Sequence, residues 1–224
     1  MTLASLDDEL EGLALIRAAH AAAPGEIALV SSFGAESAVL LDMWASVDRY
    51  APVIFLETGK LFAETLVYRD ELCAHLGLRD VRAVRPDAND LRRHDHSGDL
   101  HRRDADLCCY IRKTDPLTEA LAPFVGWVNG RKRFQGASRA SLSTIEHEAD
   151  GRIKLNPLAH WTAEDIRHYR RLRQLPLHPL ILQGYGSIGC APCTSPLRAG
   201  EDARAGRWRG LEKTECGIHT HRDG

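Results

Sequence analysis

Ile27-Ala-Leu-Val-Ser31, followed by Ser32-Phe-Gly-Ala-Glu-Ser37, joins an unbroken apolar run to a short loop, and the helical pattern of residues 38–47 comes straight after. An apolar run of this length, bounded by small polar residues, is the pattern of a strand buried on both faces. The unit repeats downstream: residues 52–56 are strand-like, Glu57-Thr58-Gly59 forms the loop, and residues 61–76 read as a helix. Further strand-like runs cover residues 81–84, 124–128 and 152–155, and helical patterns cover residues 6–23, 110–121 and 162–172. Pro24-Gly25 closes the first of these helices. Thr162 opens the last, with acids suited to a helix N-terminus behind it. Residues 87–107 read as a surface loop or short helix, and the chain after Pro176 is rich in Gly and Pro. Strands alternating with helices predict an α/β fold with a mostly parallel sheet and helices on both faces. Ligands in such sheets sit at the carboxyl ends of strands, where both quoted loops fall. The expected division is one α/β domain over residues 1–208 and a mobile C-terminal tail over residues 209–224.

The chain has 224 residues, enough for one good-sized core. It is 44% hydrophobic and 27% charged, a soluble globular balance without an apolar run long enough to span a membrane. The acidic, periodic N-terminus is unlike a secretory signal, so a cytoplasmic location is expected. A net charge of −2 excludes general polyanion binding, and no nucleic-acid motif accompanies the arginines. Seven of these fall between Arg79 and Arg103, and Gly130 precedes the cations Arg131, Lys132 and Arg133. Such clusters are either solvated surface or the lining of a site for a small anion. Oligomeric state is not encoded in any of these features, and a homo-oligomer stays open.

Three features carry chemistry. In the first loop, Gly34 permits a tight turn and close backbone approach. Ser31, Ser32 and Ser37 bring hydroxyls, and the following helix presents its N-terminus, so the loop suits a phosphate or sulfate. It lacks the Gly-Lys-Ser/Thr ending of a Walker loop. The second feature is a set of four thiols, Cys108-Cys109 and Cys190-Ala-Pro-Cys193. Four thiolates suit zinc or an iron–sulfur cluster, and the adjacent pair departs from the two-to-four-residue spacing of structural zinc sites. Buried thiols with a redox Cys-x-x-Cys are the alternative; Cys73, in an apolar-periodic stretch, reads as a buried structural thiol. The third feature is Cys216 in the tail sequence Glu215-Cys-Gly-Ile-His219, either an incidental exposed thiol or a nucleophile. Lys213 and His219 are local candidates for raising its thiolate fraction. A short polar tail is expected to be unpacked.

Taken jointly and in this order, Cys-Cys…Cys-x-x-Cys, Ser-Phe-Gly-Ala-Glu and Glu-Cys-Gly-Ile-His are similar to the iron–sulfur adenylyl-sulfate (APS) reductases, sulfonucleotide reductases of assimilatory sulfate reduction and cysteine biosynthesis. The resemblance spans residues 27–219. It implies an adenine-nucleotide alpha-hydrolase-like fold of PP-loop type. It implies one 4Fe-4S cluster on Cys108, Cys109, Cys190 and Cys193. It also implies attack by Cys216 on the sulfur of APS, with AMP leaving and thioredoxin or a similar dithiol protein releasing sulfite from the thiosulfonate. Ser32, Phe33, Gly34, Ala35, Glu36 and Ser37 match the family's nucleotide loop, which usually has Asp in place of Ser37. Glu57-Thr58-Gly59 matches an Asp-Thr-Gly with Glu in place of Asp. Lys113 matches a lysine between cluster and substrate, and Arg204 and Arg207 match substrate-binding arginines. The run Arg131, Lys132, Arg133 matches a Gly-x-Arg-Arg segment in which either Lys132 or Arg133 makes the key contact.

Elementary electrostatics asks for the same cations. A thiolate attacking an anionic sulfate ester is opposed by roughly 4 kcal/mol for two unit charges about 4 Å apart at an effective dielectric of 20. Lys113, Arg204, Arg207 and the 131–133 run would offset that and stabilise the leaving phosphate. The dithiol already supplies two electrons, so the cluster is expected to act structurally and electrostatically. Alternatives within the class are the 3′-phosphorylated nucleotide PAPS, or both nucleotides. More distant ones are a PP-loop adenylating enzyme, which would have Ser-Gly-Gly-x-Asp-Ser, and a zinc-stabilised binding protein.

Overall fold

Strand β1 (Ile27–Ser31) lies where the apolar run predicts it, buried at all five positions. The fold is seen in a computed structural model that describes residues 2–219; the last five residues of the predicted tail, 220–224, lie outside the described residues. The other strands are β2 (Val53–Leu56), β3 (Val81–Val84), β4 (Gly126–Val128), β5 (Ile145–His147) and β6 (Ile153–Leu155). They form one sheet in the order β3-β2-β1-β4-β6-β5. All neighbours are parallel except β5, which runs antiparallel to β6 at the edge. Leu29 sits in register with Val53 on one side and Val128 on the other.

The helices are α1 (Gly12–Ala22), α2 (Ser37–Val47), α3 (Ala63–Leu76), α4 (Ala88–His94), α5 (Leu100–Arg103), α6 (Ala105–Cys109), α7 (Asp115–Leu121) and α8 (Ala163–Leu172). Successive strand side chains point to opposite faces, and β1 separates two cores accordingly. Ile27 and Leu29 join the apolar cluster that includes Leu15, Leu41, Leu72 and Ile166 of α1, α2, α3 and α8. Ala28 and Val30 join Leu117 and Leu121 of α7 on the other face. Helices therefore cover both faces, as predicted.

The departures have local causes. Helix α1 begins at Gly12 because that residue takes a φ of 52° against the Trp161 indole, while the chain before it makes a separate 3-10 turn at Leu3–Ser5. Where residues 87–107 read as a surface loop or short helix, the chain forms three short helices, two of them started by aspartate caps. Asp87 accepts from the Asn89 and Asp90 amides, and Asp104 from those of Asp106 and Leu107. Between Cys109 and α7, residues Tyr110–Thr114 form a π-helical turn inside the stretch expected to be one plain helix.

The chain crosses from β1 outward through β2 to β3 and then returns to place β4 on the other side of β1. The strand order reverses there, so the loops after β1 and β4 diverge and leave a crevice at their carboxyl ends.

One buried group makes the fold pH-sensitive. The His178 ring is fully buried, accepts from the Leu180 amide through Nδ1 at 3.2 Å, and bonds the Thr65 hydroxyl through Nε2 at 3.0 Å. Burial pulls this imidazole down to about 4. The unfolded chain then binds the extra proton near its ordinary pKa of 6.5, so this contribution is present above pH 6.5 and lost as pH falls from there through about 4. Thermal unfolding followed by circular dichroism is expected to show a stability loss across that window, flatter in His178→Gln.

Candidate active site

The crevice is floored by the loop after β1. Gly34, Ala35, Glu36 and Ser37 line it together with Ser31 and Ser32, and α2 opens into it. Gly34 is required by close approach, since a Cβ there would stand 3.0 Å from the Ile188 carbonyl oxygen. The first-turn amides of α2 have no partners within the helix; that of Ser37 donates to the Gly34 carbonyl at 3.2 Å. The Ser37 hydroxyl is already used, donating to the Gly34 carbonyl at 2.8 Å. Phe33 does not face the crevice. It takes a φ of 48°, is fully buried, and packs edge-on against Phe55 in the core, so its place in the motif is structural.

The loop after β2 contributes Thr58 and Leu61 to the crevice, beside Leu56 at the end of β2. Glu57 turns outward, accepting from the Gly59 amide at 2.9 Å and pairing with Arg85 at 2.9 Å, while Gly59 makes the turn at a φ of 69°. Neither residue is among those lining the crevice. Of the cations after β4, Arg131 and Lys132 reach the crevice and Arg133 does not. Arg133 Nε is spent on the Leu142 carbonyl at 2.8 Å, which answers which of the two adjacent cations faces inward. Lys132 Nζ pairs with Glu36 at 2.9 Å, and Arg131 is held by Glu146.

The tail is seated in the crevice, against the expectation that it is unpacked. Glu215, Cys216, Ile218 and His219 all line it. Ile218 packs on the α7-side core, and the His219 ring stacks on Trp127, centroids 6.0 Å apart and 9° from parallel. Gly217 passes the π-helical turn at a φ of 89°, where a Cβ would come within 3.2 Å of the Thr114 hydroxyl. With the tail in place the crevice encloses about 210 Å³, below the roughly 300–1,000 Å³ usual for small-molecule sites.

Cys216 is half-buried, and the cations around it differ from those nearest in sequence. Lys213 is paired with Asp106. His219 is held well below its ordinary value by burial and then by Arg131, Lys154, Arg139 and Arg204, so it is a neutral ring and not a cation beside the thiol. Lys113, Arg204 and Arg207 share the crevice with Cys216, as do Arg131, Lys132 and Arg139. Burial pulls Arg204 down to about 10, with Arg139 adding to the effect and Glu215 opposing it. Arg207 lies over the Trp208 ring at 4.4 Å and against the backbone of Gly189, where a Cβ would be 2.3 Å from its Nη2. Among the described residues, no carboxylate pairs with Lys113 or Arg207.

A second, small cavity adjoins the crevice and is lined by all four predicted ligand thiols, Cys108, Cys109, Cys190 and Cys193, with Lys60, Arg112 and Lys113 around them. Helix α6 delivers Cys108 and Cys109 at its last turn. Cys190 precedes and Cys193 ends a 3-10 turn that is pinned by the Ala191 amide on the Lys60 carbonyl at 2.7 Å. The Thr58 hydroxyl lies 3.3 Å from Cys190 Sγ. Burial pushes Cys108 up to about 11 and also raises Cys109 and Cys193. Burial would raise Cys190 as well, but Lys113, the Thr58 hydroxyl and Arg207 together hold it below the ordinary value. Lys113 and Cys190 line both cavities, so this lysine stands between the thiols and the crevice. Burial disfavours its charge, yet the surrounding Cys190, Cys216 and Cys109 sulfurs outweigh that and raise it. All four thiols line this one cavity; among the described residues, no group of three His, Cys, Asp or Glu side chains is placed to hold a metal ion.

Several residues that shape the site went unpredicted. Arg112 donates to the Thr58 carbonyl at 2.6 Å and pairs with the buried Asp95, tying the π-helical turn to the loop after β2. Arg139, Gln135 and Asn129 line the crevice without motif or spacing to mark them. Glu215 had one available signal, its place beside Cys216.

Fold and site together define a PP-loop-type adenine-nucleotide protein with a thiol cavity beside its crevice. The chain belongs to the phosphoadenosine phosphosulfate reductase family, whose domain matches residues 26–196. It is 55% identical over 194 residues to an adenosine 5'-phosphosulfate reductase of Mesorhizobium japonicum, an alignment covering 87% of this chain and 76% of the relative. It is 50% identical over 228 residues to an adenosine 5'-phosphosulfate reductase of Chelativorans sp., covering 96% and 93%. The crystal structure of phosphoadenylyl-sulfate reductase from Candida auris, a phosphate complex, is similar with a TM-score of 0.69 at 25% identity, covering 88% of this chain and 93% of that one.

Proposed function

We propose that this chain reduces adenylyl sulfate to sulfite and AMP through a thiosulfonate on Cys216, with thioredoxin or a similar dithiol protein as reductant. The observation that carries the reading is the position of Cys216: it lines the nucleotide crevice together with Lys113 and Arg207, which pair with no carboxylate among the described residues. The Cys216 thiolate attacks the sulfate sulfur, the bond from sulfur to the bridging phosphate oxygen breaks, and AMP leaves with the electron pair. One thiolate of the dithiol protein then attacks Cys216 Sγ and expels sulfite. Its second thiol resolves the mixed disulfide, so the dithiol supplies both electrons. Lys113, Arg204 and Arg207 neutralise charge that gathers on the sulfonyl and phosphate oxygens. The loop 32–37 and the amides at the start of α2 hold the nucleotide, with Ser32 and Thr58 contributing hydroxyls and Lys132 fixing Glu36. A crevice of this volume favours entry with the tail lifted and chemistry with it reseated.

Cys108, Cys109, Cys190 and Cys193 fit a 4Fe-4S cluster: an all-thiolate set arranged around a space, with cations beside it, suits a polynuclear anionic group better than one zinc ion. Bound there, the cluster would supply a fixed charge next to Lys113 and hold the 190–193 turn to α6. APS is favoured over PAPS by the four thiols and by the names of the relatives at 50–55% identity; the Candida auris structure keeps the PAPS reading in view. In this role the protein would serve assimilatory sulfate reduction in the cytoplasm; among the described residues no helix is long and apolar enough to cross a membrane. Release of AMP and sulfite from APS and from PAPS, with a dithiol protein present, tests the reading alongside iron and labile-sulfide analysis. APS turnover by protein holding four irons is expected. Zinc in place of iron, or no sulfite from either nucleotide, would refute it.

A further inference from the structure

Helix α5 carries a side chain that the proposed reaction does not use. His101 lines the thiol cavity together with Lys60, Arg112, Lys113 and the four cysteines. Its Nδ1 is buried and has no hydrogen-bond partner among the described residues. Arg112 brings a second such atom to the same cavity. It donates from Nη1 to the Thr58 carbonyl at 2.6 Å and gives Nη2 to Asp95, and its Nε is buried without a partner. Few buried polar atoms in any fold go unpaired, and an unpaired one carries the full cost of leaving water. Two of them at one thiol-lined cavity mark it as a place built around a hydrogen-bond acceptor.

The local chain explains how the ring comes to be there. Asp95, held by Arg112, accepts from the Leu100 amide at 2.8 Å and so fixes the start of α5. Lys60 Nζ donates to the Gly98 carbonyl at 2.7 Å, while the Lys60 carbonyl receives the Ala191 amide beside Cys190 at 2.7 Å. Leu100 packs with Cys108 and Ile111. The segment is thereby tied to both pairs of cysteines, and His101 is the next residue along it.

We propose that His101 is a positioning residue for the group held in this cavity, its Nδ1–H donating to one of the sulfurs there. A thiolate or sulfide can only accept, so the ring nitrogen supplies the proton of that bond. Hydrogen bonds to the sulfurs are among the levers that set a cluster's reduction potential, because they ease the negative charge an added electron brings. The proposed reaction draws no electrons from the cluster, so the potential serves as a gauge of the bond. At rest the bond shares with Lys113 the charge of one anionic group. Arg112 is less suited to the test, since its substitution would also strip the buried Asp95 of its partner.

The inference rests on the four cysteines holding a 4Fe-4S cluster, and its test separates the two. His101→Phe keeps a ring in the space and removes the donor, whereas His101→Gln keeps an N–H. Both are compared with the parent protein, purified without air, by iron and labile-sulfide analysis and by a reductive titration followed by electron paramagnetic resonance. All three proteins are expected to hold four irons. His101→Phe is expected to be about tenfold harder to reduce, a shift of about 59 mV to more negative potential for one electron, and His101→Gln to recover most of the difference. An unchanged potential in His101→Phe overturns the assignment. An equal shift in both variants overturns it as well, by making packing the cause. Iron lost from His101→Phe overturns it in favour of a purely structural part. A parent protein without iron removes the cluster and the role of His101 together. Four irons without sulfite from APS would end the proposed function and leave the titration to decide on His101.

Discussion

Cys216→Ser protein mixed with APS acquires no sulfonate and releases no sulfite, a loss on the order of 10⁴-fold or more, as expected for removal of a covalent nucleophile. Two chemical steps fail together. The serine hydroxyl is not ionised near neutral pH, so the crevice cations have no anion to steer. Even a slow attack by serine oxygen would give a sulfate ester, and a dithiol protein has no sulfur–sulfur centre there to attack. The substitution leaves the core untouched, since Cys216 is half-buried on a seated tail and belongs to none of the apolar clusters. Intact-protein mass spectrometry reads the outcome. An adduct that persists in Cys216→Ser, mapped to another thiol, would move the nucleophile elsewhere.

The second large effect is expected at Lys113. It is buried, lines both the crevice and the thiol cavity, and pairs with no carboxylate among the described residues. Lys113→Met keeps the length and apolar stem while removing the charge. The single-turnover rate should fall about 10²- to 10³-fold, the usual result of deleting one preorganised electrostatic contact to a transition state. If the four thiols hold the proposed cluster, iron and labile sulfide should stay bound, because those thiols are unchanged. A rate within about threefold of the parent would show that Arg204 and Arg207 suffice. Loss of iron would make the lysine a support for the thiol cavity and leave its part in the crevice unneeded.

How much of this was legible in the chain depends on whether the determinant is local. The apolar run of β1 and the loop after it declare themselves in consecutive residues, as does the Thr162 cap. The four thiols are far apart in sequence, but only a short list of chemistries uses such a set, so residue type compensates for distance. Motif letters say less about direction. Phe33 and Glu57 stand inside recognisable loops, yet a φ of 48° turns the first into the core and a bond to the Gly59 amide turns the second outward. Lys132 and Arg133 are adjacent and alike in charge, and only the Leu142 carbonyl separates their roles. Least legible were the long-range ion pairs. Arg139 and Glu215 have no shared spacing or periodicity, and Arg112 with Asp95 have none either. A polar tail read as unpacked becomes a seated one once those pairs and the Trp127 face are available to it. Strand β5 escaped notice because three residues at a sheet edge carry too little alternation to register.

The π-helical turn at Tyr110–Thr114 sets how this region can change over generations. An α-helix advances about 100° per residue, and wide turns of this kind cluster at functional places. Dropping one residue between Cys109 and Asp115 would let the turn close as ordinary α-helix, and since only the extra residue of the wide turn is lost, Leu117 and Leu121 of α7 would keep their face on the sheet. Lys113, inside the turn, would shift from the wall between the two cavities. Substitutions there have room to be tolerated one at a time, whereas insertions and deletions do not. Descendants of this chain should therefore vary in spelling across residues 110–114 while keeping their number, and should take their length changes at places such as the β5–β6 turn around Asp150.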